Sequence, residues 1–83
     1  MELILYSGKR CHLCDQLERL VRPYLDVLGQ RKQILYKKRD IADDPVWLGA
    51  FKHRIPVLVC DGRVLLEGNP SQQEIAQTMH ELG

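Results

Sequence analysis

Two cysteines separated by two residues are the part of this sequence best suited to chemistry. Cys11 and Cys14 follow a short apolar run and open a long stretch of helical periodicity, so Cys11 should lie at a helix N-terminus. Unpaired N–H groups and the helix dipole stabilise a thiolate there, and the thiolate is the nucleophilic form of cysteine. We therefore predict that Cys11 is a catalytic, attacking sulfur whose pKa lies below that of an ordinary thiol.

Cys14 follows Cys11 by three residues, which places both side chains on the same face of a helix. Its sulfur can close a disulfide with Cys11 and can resolve a mixed disulfide formed there. We predict that Cys14 is the second catalytic residue, more buried and less acidic than Cys11. Arg10 and His12 flank the first cysteine and are predicted to contact the substrate. Arg10 and the preceding Lys9 either add positive potential near the thiolate or are solvated loop charges.

The segment before the third predicted strand supplies a second candidate region. Ile55 and Pro56 directly precede an apolar run, and proline is tolerated at the first position of a strand. X-Pro bonds are also where cis peptide bonds occur, although the residues alone favour trans. The third cysteine, Cys60, falls inside that apolar strand and is interpreted as a small buried hydrophobe rather than a redox residue.

Apolar runs and helical periodicity predict the elements that hold these residues. A strand over 3–6, apolar on both faces, belongs in the middle of a sheet. A helix follows, with one apolar stripe from Leu17 to Leu28. Gly29 should end this helix, and Pro23 should bend it without breaking it.

A second strand and a short helix occupy the middle of the chain. The strand begins at Ile34 and runs to about Arg39. The helix is predicted over 45–52, because Asp44 is a good N-cap and the proline after it suits the first helical position. Its inward-facing side chains are predicted to be Trp47, Leu48 and Phe51.

The last part of the chain predicts a hairpin and a helix. Strands over 57–60 and 64–66 are joined by Asp-Gly at 61–62, a turn sequence that accommodates positive φ angles. The last helix is predicted to begin at an Asn69 N-cap followed by Pro70.

The resulting order, β-α-β-α-β-β-α, predicts an α/β protein with a four-stranded mixed sheet and helices on both faces. Strands joined through a helix are parallel, and strands joined by a tight turn are antiparallel. This is the thioredoxin-like architecture in its smallest form. Since the 83 residues contain no linker, repeat or low-complexity segment, residues 1–83 are predicted to form one domain.

Composition and charge argue against several function classes. The formal net charge of +1 provides no bulk positive field for nucleic acid, and no apolar run approaches the roughly 20 residues of a membrane helix. The N-terminus lacks the features of a signal peptide, and three cysteines do not make a secreted disulfide scaffold. We therefore expect a cytoplasmic monomer with no nucleic-acid or membrane partner.

Taken together, these residues resemble the glutaredoxins, and more closely the small bacterial glutaredoxin-like proteins. The likeness rests on Tyr6-Ser7, on the Cys11-x-x-Cys14 motif and on Ile55-Pro56-Val57 before an Asp-Gly hairpin, and it covers nearly the whole chain. It implies dithiol–disulfide exchange with a disulfide-containing protein or a low-molecular-weight thiol. It also implies a cis Ile55-Pro56 bond beside the cysteines, and pairing of the Ile55 backbone with the bound thiol or peptide.

Four departures from the glutaredoxin pattern bear on the reductant. His-Leu at 12–13 stands in place of Pro-Tyr, and Arg-Ile at 54–55 in place of Thr-Val. Gly68 matches the first glycine of the pair before the last helix and is predicted to border the substrate, but Asn69 replaces the second. The acidic residue that helps to hold glutathione has no counterpart at 71–72. Redox activity is therefore better supported than glutathione specificity: the expected reductant is glutathione or a thioredoxin-reductase-like flavoprotein, with no bound cofactor.

A different function class stays open for the same cysteines. In a thioredoxin-fold binding module, Cys11 and Cys14 would ligate a metal or an iron–sulfur cluster, or would only dock a partner. Zinc needs four ligands, and neither Cys60 nor the histidines have the spacing of a second zinc knuckle. A c-type haem site is excluded because Asp15, not histidine, follows Cys14. The basic run at 37–39 is either a solvated strand edge or a docking surface for an acidic partner.

Overall fold

The computed structural model describes residues 1–83, and its elements follow the predicted order. A short 3₁₀ turn at 41–43 is the one addition. The elements are β1 (Glu2–Ser7), α1 (His12–Gly29), β2 (Leu35–Asp40), α2 (Pro45–Phe51), β3 (Val57–Cys60), β4 (Arg63–Glu67) and α3 (Gln72–Leu82).

The four strands form one mixed sheet in the order β2-β1-β3-β4. β1 lies parallel to β2 and antiparallel to β3, and β4 lies antiparallel to β3 at the other edge. The predicted mixed sheet and the predicted interior position of the first strand are both confirmed. Because β1 and β2 are parallel, their carboxyl ends meet at one end of the sheet, and the segment that carries Cys11 and Cys14 leaves β1 from that end.

The main core lies between the sheet and the helices α1 and α3. Alternation along β1 points Leu3 and Leu5 to this side, where Cys60 and Leu58 of β3 lie opposite them in register. Cys60 is 8% exposed and belongs to the same cluster, as predicted for a small buried hydrophobe. Burying each leucine contributes roughly 1.5–3 kcal/mol, so this layer holds α1, and with it the two cysteines, against the sheet.

Helix α2 contacts the opposite face of the sheet, and here one prediction is wrong. None of its residues is fully buried, and Leu48, which was expected to face inward, is 43% exposed. Trp47 and Phe51 are half-buried against Tyr6 of β1, at ring-centroid distances of 5.7 and 4.6 Å. A seven-residue helix has too few turns to bury a full apolar stripe, and the Tyr6 ring separates it from the strands.

Helix α3 begins two residues later than predicted. Its N-cap is Ser71 rather than Asn69. The Ser71 hydroxyl accepts a hydrogen bond from the Glu74 N–H at 3.1 Å, and the Glu74 carboxylate accepts one from the Ser71 N–H at 3.3 Å. This reciprocal capping box satisfies two backbone donors, which Asn69 followed by a proline does not achieve.

Three other predictions of local structure are confirmed. Helix α1 runs unbroken through Pro23 and ends at Gly29, whereas the bend expected at Pro23 stays a prediction. The Asp44 side chain caps the first turn of α2. The hairpin residues Asp61 and Gly62 have φ angles of 47° and 85°, which are the positive values that an Asp-Gly turn favours.

Candidate active site

Cys11 and Cys14 form a disulfide at the N-terminus of α1. Cys11 is the N-cap, with an extended backbone, and its sulfur accepts a hydrogen bond from the Cys14 N–H at 3.1 Å. Their Cα atoms are 5.2 Å apart. Cys14 is 1% exposed, whereas Cys11 is only half-buried. The prediction that Cys14 is the more buried sulfur is confirmed.

The helix start provides the electrostatics of this pair. The Cys14 N–H is one of the first-turn donors of α1 that have no partner within the helix, and it is aimed at the Cys11 sulfur. In the reduced protein this donor and the helix dipole favour a negative charge on Cys11. The Cys14 sulfur is buried, so the two sulfurs differ both in exposure and in electrostatic setting.

The residues that flank the cysteines are exposed to solvent. Arg10 and His12, predicted to contact substrate, both point into solvent beside the disulfide, as does Lys9. Arg10 has a φ angle of 56°, in the left-handed region that non-glycine residues rarely occupy. Leu13 is 39% exposed and adds an apolar side chain between the two cysteines. Their roles toward a substrate stay predictions.

The Ile55-Pro56 segment joins the same end of the sheet. The Ile55-Pro56 peptide bond is cis, as the resemblance implied. Pro56 is buried, and its carbonyl accepts a hydrogen bond from the Gly68 N–H at 2.8 Å. Gly68 has a φ angle of 72°, which a glycine adopts without strain. Tertiary structure thus brings Gly68 beside Pro56, two positions that were predicted separately.

Gly8 brings the cysteine loop against the proline segment. A Cβ atom on Gly8 would lie 2.9 Å from the Ile55 Cδ1, closer than real side-chain contacts. The absence of a side chain at Gly8 therefore lets Ile55 pack directly against the loop that leads to Cys11. This contact sets the spacing between the two halves of the site.

Arg54 and Glu67 hold the proline segment from the other side. The Arg54 guanidinium donates two hydrogen bonds to the Glu67 carboxylate, at 2.8 and 3.1 Å, and lies over the Phe51 ring. The hydrogen bond to Glu67 raises the pKa of Arg54, and the hydrogen bond from Arg54 lowers the pKa of Glu67. Sequence reasoning missed Glu67; the available signal was its position between the predicted strand and Gly68.

A second missed cluster ties α1 to β2. The Glu18 carboxylate accepts hydrogen bonds from the Tyr36 hydroxyl at 2.7 Å and from Lys38 at 3.0 Å, and it pairs with Arg22. Burial alone would raise the pKa of Glu18, but these hydrogen bonds and the charges of Lys38 and Arg22 lower it overall. Burial, and then the hydrogen bond to Glu18, raise the pKa of Tyr36. This cluster fixes the helix that carries the disulfide.

The basic run on β2 is mostly neutralised within the chain. β2 is an edge strand, which agrees with the interpretation of a solvated edge. Lys37 pairs with Glu2 at 3.4 Å, and Lys38 pairs with Glu18 at 3.0 Å. The Arg39 guanidinium lies 5.8 Å from the Trp47 ring centroid.

Space for ligands near the disulfide is limited. The crevice between α1 and the 68–70 segment is closed to a water molecule. A polar cleft of about 400 Å³ lies on the β2 side of the cysteine loop; its lining residues are Ser7, Gly8, Lys9, Lys38, Asp40 and Asp43.

No group of three or more histidine, cysteine or acidic side chains could hold a metal ion. A metal on the cysteine pair would therefore need ligands from outside the chain. None of the helices combines the length and the apolar character that a membrane span requires.

A four-stranded mixed sheet with a Cys-x-x-Cys disulfide at the start of its first helix, beside a cis-proline segment, defines a glutaredoxin-like protein of the thioredoxin fold. The chain belongs to the glutaredoxin-like domain family (DUF836), whose model matches residues 2–80. The predicted family resemblance is thereby confirmed.

Solved structures agree with this assignment. The target protein XcR50 from X. campestris is 26% identical, with a TM-score of 0.70 over 95% of this chain and 96% of that one. Thioredoxin 1 from Thermosipho africanus is 14% identical, with a TM-score of 0.59 over 99% of this chain and 93% of that one. A thioredoxin from Halobacterium salinarum is 19% identical, with a TM-score of 0.54 over 96% of this chain and 72% of that one. The likeness to the two thioredoxins shows a shared fold. No curated protein matches the chain in sequence.

Proposed function

We propose that this protein is a thiol–disulfide oxidoreductase that cycles Cys11 and Cys14 between dithiol and disulfide. One observation carries the proposal: the two sulfurs are bonded at the start of α1, with Cys11 partly exposed and Cys14 buried. A structural disulfide has no need of an accessible sulfur. A redox disulfide does, because a thiolate must reach one of its sulfurs.

The first half-reaction forms a mixed disulfide on Cys11. In the reduced protein the Cys11 thiolate attacks one sulfur of the substrate disulfide. A bond forms between Cys11 and that sulfur, the substrate disulfide bond breaks, and the other substrate sulfur leaves as a thiolate that takes a proton from solvent. The Cys14 N–H, 3.1 Å from the Cys11 sulfur, stabilises the attacking charge.

The second half-reaction releases the substrate. Cys14 loses its proton to solvent and attacks the Cys11 sulfur, so the mixed disulfide breaks and the second substrate sulfur leaves as a thiolate that takes a proton from solvent. The products are a substrate dithiol and the Cys11–Cys14 disulfide; two electrons and two protons have passed to the substrate. Glutathione or a thioredoxin-reductase-like flavoprotein then returns these electrons to the protein, and we place the reaction in the cytoplasm.

The Ile55 backbone is the proposed recognition element for the chain around the substrate sulfur. Its N–H already donates to the Phe51 carbonyl at 3.1 Å, so the Ile55 carbonyl is the group available for an extended peptide or thiol. Gly68 borders this segment through its bond to Pro56, and the exposed Leu13 lies on the cysteine side. The bound chain would lie on the surface that these residues form, outside the closed crevice.

The test follows the thiols during one turnover. The reduced protein is mixed with a small uncharged disulfide, and the adducts are identified by mass spectrometry. We expect the wild type to end as the Cys11–Cys14 disulfide, Cys14→Ser to stop at a mixed disulfide on Cys11, and Cys11→Ser to form no such adduct. Cys60→Ser is the matched control and should behave as the wild type. Equal trapping by the Cys14→Ser and Cys11→Ser variants would overturn the proposed roles.

A further inference from the structure

Two positively charged side chains near the site have no ion-pair partner within the chain. One lies on the loop before Cys11, and the other lies on the segment before Ile55. Arg10 precedes the disulfide and Lys52 precedes the cis-proline segment; both are exposed, and no acidic side chain lies within 4 Å of either charged group. By contrast, the neighbouring Arg54 is neutralised by Glu67. In the sequence, His12 lies two residues after Arg10, and His53 directly follows Lys52. We refer to Arg10, His12, Lys52 and His53 as the basic rim.

The two loops of the basic rim are held together by packing. Ile55, three residues after Lys52, packs against Gly8, two residues before Arg10. This contact joins the loop that leads to the disulfide to the segment that leads to the cis proline. Arg10 also occupies a left-handed backbone conformation, where glycine would be free of strain.

From this surface we propose that the substrate disulfide belongs to a protein whose flanking residues are acidic. The inference rests on the proposed oxidoreductase function and names its substrate class. Complementary charge around the reacting sulfurs raises the rate of encounter and selects among disulfide partners.

The cavities at the site favour a protein over a small anionic thiol. The crevice between α1 and the 68–70 segment is closed. It therefore cannot hold the rest of a small thiol whose sulfur is bonded to Cys11. The open cleft beside Lys9 is lined by the carboxylates of Asp40 and Asp43 and by no apolar side chain, so it does not favour an anion. The unpaired positive charge instead lies on an exposed rim, which a folded or extended acidic segment can cover.

None of the acidic residues near the site pairs with Arg10 or Lys52. Asp40 and Asp44 each accept a backbone hydrogen bond at the start of a following turn, and Asp43 faces the cleft beside Lys9. Asp15 lies in the first turn of α1. We therefore leave Lys9 out of the rim and base the test on Arg10 and Lys52.

The test compares three peptide disulfides that differ only in having acidic, neutral or basic flanking residues. Reduction by the wild type should be at least tenfold faster for the acidic than for the basic peptide at low ionic strength, and the ratio should fall as salt is added. Each rate is divided by that for a small uncharged disulfide, which removes any change in the intrinsic reactivity of Cys11.

Matched variants distinguish an effect of the charges on the basic rim from an effect of the net charge of the protein. The double variant Arg10→Gln, Lys52→Gln should lose most of the acidic preference. The control Arg31→Gln, Arg63→Gln removes the same charge from exposed, unpaired cations distant from the disulfide and should keep it. Equal loss in both variants, or no acidic preference in the wild type, would overturn the inference.

Two further outcomes are distinguishable. Faster reduction of glutathione disulfide than of the acidic peptide would assign the rim to a small anionic thiol and overturn the protein partner. Failure of the wild type to reduce even the uncharged disulfide would instead overturn the proposed oxidoreductase function itself.

Discussion

The two ends of the sheet hold cysteines in opposite electrostatic settings. At one end Cys11 caps α1, and its sulfur accepts the Cys14 N–H. At the other end Cys60 closes β3, with its sulfur 3.8 Å from the Asp61 carboxylate. Burial, followed by the charge and hydrogen bond of Asp61, raises the pKa of Cys60. The same side chain thus accepts a backbone hydrogen bond at a helix N-terminus at one end and lies buried beside a carboxylate at the other.

The largest expected effect is the difference in reactivity between the two ends. In reduced Cys14→Ser, iodoacetamide should modify Cys11 at neutral pH on the order of 100-fold faster than Cys60, because thiolate fraction and exposure both favour Cys11. Site-resolved mass spectrometry over a pH series measures both rates. The Cys11 midpoint should lie below that of an ordinary cysteine. Similar alkylation rates at Cys11 and Cys60 would contradict the expected difference between the two ends of the sheet.

A smaller effect, on stability, is expected when the contacts between α1 and β2 are weakened without a change at the N-terminus of α1. Glu18→Gln removes the charge that accepts from Tyr36 and Lys38 and should lower the free energy of unfolding at neutral pH by about 1–2 kcal/mol. Because the pKa of Glu18 is lowered in the folded protein, the wild type has this stabilisation above the ordinary carboxyl pKa. It loses the stabilisation as pH falls through the lowered value.

Urea unfolding of both proteins across acid pH checks this prediction. The two stability curves should converge at the acid end, whereas parallel curves would mean that the ionised carboxylate contributes nothing. The Cys11 alkylation rate is the internal control and should not change, since the helix N-terminus is intact in both proteins.

Asp61→Asn tests how much the carboxylate contributes to the raised pKa of Cys60. Removing the carboxylate charge should lower the pKa of Cys60 toward its ordinary value, although burial, the largest cause, remains. Asparagine tolerates the positive φ at this position, so the hairpin should persist. Carbon-13 NMR of labelled cysteine in the Cys11→Ser, Cys14→Ser background follows Cys60 alone. An unchanged titration would assign the whole shift to burial.

The smallest effect is expected for Arg10→Gly. Relief of the left-handed strain stabilises the folded protein, whereas the added freedom of glycine stabilises the unfolded chain, so the net gain should be below about 1 kcal/mol. Thermal unfolding of the two proteins, with Arg63→Gly as a control at an extended position in β4, measures it. Destabilisation by Arg10→Gly would mean that the arginine side chain packs usefully within the chain.

Elements with strong local signals were predictable. The apolar stripe of α1, the Asp61-Gly62 hairpin and the Asp44 cap depend on neighbouring residues alone, and each is found where it was predicted. The α3 start was missed because two capping signals competed, and Ser71 with Glu74 satisfies more donors than Asn69. Leu48 was misplaced because helical periodicity does not reveal what the sheet offers for packing.

Within the site, sequence alone determined the placement of the cysteine pair, since spacing and a helix start put Cys11 before Cys14 at the N-terminus of α1. Tertiary structure decided what surrounds it. The Gly8 contact with Ile55, the Gly68 bond to Pro56 and the Arg54 bond to Glu67 each join residues from different segments. Such contacts depend on the register of β1, β3 and β4. Local preference fixes a residue's conformation, whereas its distant neighbours follow only from how the whole sheet is paired.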